Sequence, residues 1–434
     1  MNHVKEVPVA HLAIGMYVSA LDRPWLETPY LMQGFFINSL EDIDKLRSLC
    51  EYVYVDVERQ RGSAAVSSVG RMSDSSRQAS PFTTSQNSVT SLISEGRTKK
   101  AQQKLERMFP NRSLLAYKDE QNAKVEMETA RQVCLDLNHC VKNLIDDVSH
   151  GHSIDISTIK GSVSPMIDSV LRNPDACMWL ARLKNKDSYT YKHSMGASIW
   201  AVALGRQIGL PKIDLMILAT GTLLCDIGKV RLPEELLSKT GALSDEEFAQ
   251  FRSHVELSLS IIDDAGNVNP KVRQLVAYHH ERHDGSGYPN EIRGSGIPVL
   301  SRIAAIADCY DAMTSERVYA KAISPSVAVR KLFEWRGKAF QAELVEEFIQ
   351  AVGLYPAGTL VELNSGVVAI VISESRTRRL RPKVLLLTDE DKILRTKFTS
   401  LDMMEDETCI EDGLFIEQSL SPGSYGIDPE SIYY

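Results

Sequence analysis

Apolar residues recur along the middle of this chain at helical spacing and near its two ends in short strand-like runs. Val133, Leu137, Cys140/Val141, Leu144 and Val148 form one stripe, and Ile156, Ile159, Val163, Met166/Ile167 and Val170 form a second. Residues three and four apart share a helix face, so both stripes predict amphipathic helices packed in a core. Asn173-Pro174 ends the second, because the residue before a proline is pushed out of the helical region. The pattern continues with Ala197, Trp200/Ala201, Leu204 and Ile208, then Leu215–Leu224, then Phe248, Phe251, Val255 and Ile261. Ile303, Ile306, Tyr310 and Met313 make a further stripe on Pro298–Met313. Residues 97–353 therefore predict one helical domain. Residues 1–58 predict a small α/β unit: Met16–Leu21, Gly34–Ile37 and Tyr52–Val57 read as strands. A helix between them starts at Ser39, with Asp42 three residues on as a capping-type signal. Residues 354–434 predict a small β-rich appendage, from Thr359–Leu363, Val367–Ser373 and Lys383–Leu387 with Asn364-Ser365-Gly366 as a turn. Past Asp402 the signal is weak and acidic.

Composition adds a linker and removes some partners. Residues 59–96 hold 11 serines between Ser63 and Ser94 and few large apolar side chains, so burial cannot offset their ordering entropy. The net charge of −8 over 434 residues argues against a nucleic-acid polymer or an anionic membrane as partner. The seven cysteines form no C-x-x-C pair and read as reduced thiols. With no apolar signal region at Met1–Glu6 and no run long enough to span a bilayer, the expectation is a cytoplasmic protein.

The chemistry concentrates around His279-His280-Glu281-Arg282-His283-Asp284-Gly285-Ser286-Gly287-Tyr288-Pro289. Neighbouring residues on a continuous helix point roughly 100° apart, so two adjacent imidazoles meet one centre only where the helix ends. Asp284-Gly285 and Gly287 supply that ending. Five of the ten histidines fall between positions 193 and 283, and Asp226 and Asp308 lie in the same helical region. Singly, each of these histidines reads as a packed or surface residue. Together with the carboxylates they suit Fe, Mn, Zn or Ni rather than Ca or Mg alone.

The stretch closing on Gly287-Tyr288-Pro289 resembles the HD-GYP phosphohydrolases, which hydrolyse cyclic dinucleotides. The resemblance covers roughly residues 187–345. It extends to Asp226-Ile227-Gly228-Lys229 and to Arg302-Ile303-x-x-Ile306-x-Asp308-x-Tyr310-Asp311-Ala312-Met313-Thr314-Ser315, with Arg317 and Tyr319. It implies a mainly α protein built on an all-helical HD-type domain, preceded by a domain of unknown function that often accompanies it. By position, the implied metal ligands are His193, Cys225, Asp226, His254, His279, His280 and Asp308, with Asp226 bridging two divalent transition-metal ions, Fe or Mn. Lys229 would contact the scissile phosphate and Arg317 the other phosphate, with Lys321 as a further substrate contact. The implied reaction opens cyclic di-GMP or 3',3'-cyclic GMP-AMP to a linear dinucleotide. A diguanylate-cyclase-type or other signalling partner and a homodimer are compatible with it.

Three positions depart from the family pattern. The histidine of the HD pair is Cys225, which reads as a thiolate ligand, as a small buried hydrophobe, or as the mark of a catalytically silent cyclic dinucleotide receptor. Some members carry a glutamate where this chain has Tyr189, which favours two metals over three. The basic residue expected after the Arg-x-Tyr segment is replaced by Ala320, with Lys321 one place later. His283 is expected to be a solvated loop residue and no ligand.

Overall fold

In the computed structural model residues 4–22, 35–37, 39–56, 99–182, 189–317, 320–373, 381–406, 409 and 413–427 are described, and the chain divides into two units, Met1–Thr90 and Ser91–Tyr434. The serine-rich segment, Tyr319 and the side chain of Tyr189 lie outside the described residues.

In the first unit four strands, β1 (Val4–Pro8), β2 (Tyr17–Leu21), β3 (Phe35–Phe36) and β4 (Tyr52–Asp56), form an antiparallel sheet in the order β1-β4-β2-β3. Helix α1 (Leu40–Leu49) starts as its sequence predicts. Ser39 Oγ accepts from the Asp42 amide and the Asp42 carboxylate accepts from the Ser39 amide, so two orphan amides of the first turn are satisfied reciprocally. Ile43 and Leu46 are then buried against Val18, Val53 and Val55. Strand β1 was not among the sequence-predicted runs.

The second unit is mainly helical: α2 (Lys99–Met108), α3 (Ala123–Ser149), α4 (Ile156–Arg172), α5 (Pro174–Arg182), α6 (Tyr189–Ile208), α7 (Lys212–Leu224), α8 (Glu234–Leu237), α9 (Asp245–Arg252), α10 (His254–Ala265), α11 (Pro270–Tyr278), α12 (Val299–Thr314), α13 (Pro325–Trp335) and α14 (Ala342–Val352). Helix α4 ends at Arg172 and Pro174 opens α5, where its missing N–H costs nothing. Helices α6, α7 and α12 make the centre of the core. The buried ring of Trp200 on α6 meets Tyr310 on α12 edge-on at 5.0 Å, and Phe348 of α14 meets the same tyrosine at 5.0 Å.

Strands β5 (Leu360–Leu363), β6 (Val368–Ser373), β7 (Lys383–Thr388), β8 (Leu394–Asp402) and β9 (Ile416–Ser419) form an antiparallel sheet in the order β8-β7-β6-β5-β9. Residues Val368–Ile372 are all buried, so β6 is covered on both faces, and the sheet shares one continuous hydrophobic core with the helices. That continuity separates it from a hanging appendage. Strands β8 and β9 went unread in the sequence, because most of their residues face solvent and carry no apolar alternation.

Candidate metal centre

Five segments bring side chains able to hold metal to one buried point. His193 lies in the first turns of α6. Asp226 follows the end of α7 and is succeeded by a 3-10 turn, Ile227–Arg231, that carries Lys229. His254 opens α10, and Asp308 and Asp311 share a face of α12. Helix α11 stops at Tyr278, so His279 and His280 stand at its end with ring centroids 4.0 Å apart. Two glycines make this convergence sterically feasible. A Cβ on Gly228 would lie 2.2 Å from the His254 carbonyl oxygen and 2.5 Å from the Ser258 amide, so only glycine lets the Asp226 turn press on α10. Ser258 Oγ fastens the contact, accepting from the Gly228 amide and donating to the Cys225 carbonyl. A Cβ on Gly287 would lie 2.3 Å from the Arg282 amide nitrogen and 2.4 Å from the His280 carbonyl oxygen. The loop is also held by the buried Glu281 carboxylate, which accepts from the amides of Asn290 and Ile292 at 2.7 and 3.0 Å.

Three of the histidines use the same device to aim Nε2 inward. His254 Nδ1–H donates to the Phe251 carbonyl at 2.7 Å, His279 Nδ1–H to the Val276 carbonyl at 2.7 Å, and His193 Nδ1–H to the Asp311 carboxylate at 2.7 Å. Each bond fixes the tautomer and frees Nε2 as a ligand. Nε2 of His254 lies 3.3 Å from Asp226 Oδ1 and 3.1 Å from His280 Nε2, and Nε2 of His279 lies 3.9 Å from Asp226 Oδ1. His193 Nε2 lies 2.9 Å from Asp308 Oδ1 and 3.5 Å from Asp226 Oδ2. The ligand atoms fall into two groups, Asp226/His254/His279/His280 and His193/Asp226/Asp308, with Asp226 common to both.

Burial pushes His254 down to about 4, and burial likewise lowers His279 and His280, the last well below its ordinary value with its histidine neighbours adding to the effect. These imidazoles are neutral lone-pair donors. His193 differs: burial opposes its charge, but hydrogen bonds to Asp308 and Asp311 outweigh it and push it up to about 9. Burial also works against Asp226, yet Lys229, whose Nζ is 2.6 Å from Oδ2, and the surrounding histidines hold the carboxyl well below the usual range. Within this charged pocket Asp226 Oδ1 and His279 Nε2 are sealed from solvent with no hydrogen-bond partner. Two buried acceptors facing one another unpartnered are costly, and a cation between them removes the cost. The donor set and these orphaned atoms fit divalent metal.

Two sequence expectations need correction. Cys225 belongs to neither group. It continues the helical turn of α7, φ −59° and ψ −31°, so its side chain diverges by about 100° from that of Asp226 and enters the apolar core. Its thiol donates to the Thr222 carbonyl at 3.1 Å, and burial, with Asp226 and Asp308 adding, raises its pKa well up. His283 is half-buried rather than solvated. Its amide donates to the Ala339 carbonyl, its carbonyl accepts from the Gly294 amide, and its Nδ1 is closed off from solvent. Arg317 is half-buried just past α12, with Nε donating to the Ala312 carbonyl at 2.7 Å, and Lys321 is exposed beyond Ala320. Sequence reasoning gave no role to Asp311, which accepts from Trp200 Nε1 (3.0 Å) and Ser315 Oγ (3.2 Å) as well as from His193. Its spacing of three from Asp308 was the available signal.

Three family patterns cover most of the chain: a domain of unknown function, DUF3391, over residues 4–159, an HD domain over residues 176–344, and a KOW domain associated with HD domains over residues 360–426. A cyclic di-GMP phosphodiesterase of Pseudomonas aeruginosa is 32% identical over 386 residues, covering 88% of this chain and 84% of the relative. A 3'3'-cGAMP-specific phosphodiesterase of Vibrio cholerae is 32% identical over 162 residues, 37% of this chain and 31% of that protein. The response regulator RpfG of Xanthomonas campestris, a cyclic di-GMP phosphodiesterase, is 33% identical over 148 residues, 34% of this chain and 39% of its own. Among the described residues no helix is long and apolar enough to cross a membrane. With that similarity running along nearly its whole length, and an HD domain centred on the His/Asp cluster, the chain belongs to the HD-GYP family of phosphodiesterases.

Proposed function

We propose that this protein is a metal-dependent phosphodiesterase that opens a cyclic dinucleotide, cyclic di-GMP or 3',3'-cyclic GMP-AMP, to the linear dinucleotide and onward to mononucleotides. The observation that carries the reading is the sharing of Asp226 by two ligand groups while its Oδ1 and His279 Nε2 stand buried and unpartnered. His254, His279 and His280 would hold one ion and His193 and Asp308 the other, with Asp226 common to both. Two divalent ions, iron or manganese, would supply an activated hydroxide and charge neutralisation at the phosphodiester. Lys229 places an ammonium beside Asp226, where it can meet a non-bridging phosphate oxygen. Arg317 and Lys321, past the end of α12, suit the second phosphate. Tyr288 packs against His280 with ring centroids 4.6 Å apart and walls the ligands from water. Asp311 holds the His193 ring and touches no substrate.

The test is metal analysis together with hydrolysis of cyclic di-GMP and cyclic GMP-AMP, run side by side on the natural protein and on Asp226→Ala. The expected result is close to two ions per chain and turnover in the natural protein, and neither in the variant. A metal-free, inactive protein after anaerobic purification and reconstitution would overturn the reading, and binding without turnover would make the chain a receptor. Residues 1–58 serve as a regulatory module in this scheme, so removal of residues 1–95 should leave metal loading intact.

A further inference from the structure

Helix α9 is held in place although it buries no residue of its own. A capping box fixes its start: Ser244 Oγ accepts from the Glu247 amide, and the Glu247 carboxylate accepts from the Ser244 amide and pairs with Lys239 at 2.5 Å. What α9 presents is a set of flat groups at positions 248, 251 and 252, which share a helix face. Phe251 lies 5.4 Å from the His254 ring, with Lys229 Nζ 5.4 Å from its own centroid. The Arg252 guanidinium sits 4.3 Å from the Phe248 ring and 4.8 Å from the Tyr288 ring, and Phe248 meets Tyr288 at 6.4 Å and 77°. Tyr288 in turn packs on His280 and stands 6.4 Å from His254. A continuous run of ring contacts therefore leads from the metal ligands to Phe248, which is 40% exposed, and Arg252, which is exposed.

A packing role alone would favour a covered ring. Leaving a phenylalanine and a guanidinium open, one ring beyond the ligands, suits a planar, electron-rich, anionic partner. A nucleotide whose phosphate lies at the metal centre is such a partner. Its base must leave the phosphate through the rim, and base–aromatic stacking tolerates any purine.

We propose that Phe248 and Arg252 form the base-contacting wall of the candidate site, with a purine of the nucleotide substrate stacked on the Phe248 ring and Arg252 supplying positive charge and N–H donors. This rests on the proposed function for the phosphate's position but names residues outside the metal cluster. Neither residue holds a metal ligand by a hydrogen bond, so their loss should leave the ions in place.

The experiment uses the full-length, metal-loaded protein and measures dissociation constants by equilibrium dialysis for a non-hydrolysable phosphorothioate analogue of cyclic di-GMP, for GMP and for ribose 5-phosphate. Ribose 5-phosphate keeps the phosphate and sugar and lacks the base. Phe248→Ala should weaken the cyclic di-GMP analogue and GMP by about tenfold, the loss of one stacking contact, and Arg252→Ala by about tenfold, the loss of a charged hydrogen bond, with ribose 5-phosphate and metal content unchanged. Phe248→Trp should restore binding. Unchanged affinity for GMP in both alanine variants overturns the proposal. Equal weakening of ribose 5-phosphate, or loss of metal, overturns it in favour of a purely structural stack under the Tyr288 loop. If the natural protein neither binds nor hydrolyses a cyclic dinucleotide, the proposed function fails, and the comparison of GMP with ribose 5-phosphate still decides the base wall.

Discussion

Replacing Asp311 by Asn tests whether the orientation of His193 matters to metal, and the direction of the effect follows from who can donate. Trp200 Nε1 is a donor only, so the variant amide must turn its oxygen toward Trp200 and its NH2 toward His193. His193 Nδ1 then has to accept, and its single proton moves to Nε2, where it points at Asp308 and Asp226. Loss of such an outer partner costs about 10–100-fold in metal affinity, or about 1.4–2.8 kcal/mol. An opposing effect operates near neutrality. His193 is pushed up to about 9 in the metal-free protein, so a proton competes with metal at Nε2, and removing the Asp311 charge relieves that competition. Above pH 9 the competition disappears in both proteins, and the wrong-tautomer defect remains. Metal affinity measured by chelator competition from pH 7 to 9.5 should therefore rise with pH in the natural protein and show the widest gap to Asp311→Asn at the alkaline end. Asp311→Ala should behave differently. It leaves the Trp200 and His193 N–H groups without this acceptor, costing about 1–3 kcal/mol for each, yet His193 keeps a free choice of tautomer. Alanine should thus cost more stability and asparagine more metal affinity. A folded Asp311→Asn protein with natural metal affinity at pH 9.5 refutes the reasoning.

Gly287→Ala should destabilise the protein by about 1–3 kcal/mol, as overpacking does, because its Cβ would meet two backbone atoms closer than 2.5 Å; thermal unfolding that matches the natural protein would count against the loop geometry. The metal-stripped protein should lose stability as pH rises above about 7.5, beyond the range in which the depressed His254, His279 and His280 gain stability with pH. The folded-state pKa of His193 is above its unfolded value, so its contribution is complete below about 6.5, declines through 9, and totals roughly 3 kcal/mol. Denaturant midpoints that stay level or climb from about pH 7.5 to 10 would contradict this. Cys225→Ala should keep the full metal content and cost about 1–2 kcal/mol of stability, since a small buried side chain is removed from the core; loss of an ion on metal analysis would restore the thiol as a ligand.

The helical stripes from Val133 to Met313, the Ser39/Asp42 cap, the break at Pro174 and the helix end before His279 were all legible in the sequence, because each rests on interactions within a few residues. The acids and histidines of the candidate metal centre were legible as a set through resemblance. Tertiary structure decided which atoms of that set meet. Cys225 and Asp226 are neighbours, and only the direction in which α7 enters the core settles that the carboxylate faces the centre and the thiol faces Thr222. Asp311 gains its role from packing α12 on α6, which brings it to His193 across 118 positions of chain. The exposed strands β8 and β9 are drawn into a sheet by backbone pairing with β7 and β5, a long-range demand that side-chain periodicity does not encode. Phe248 and Arg252 reach Tyr288 from a separate helix for the same reason: local sequence sets the face a residue occupies on its own element, and only the fold sets what that face meets.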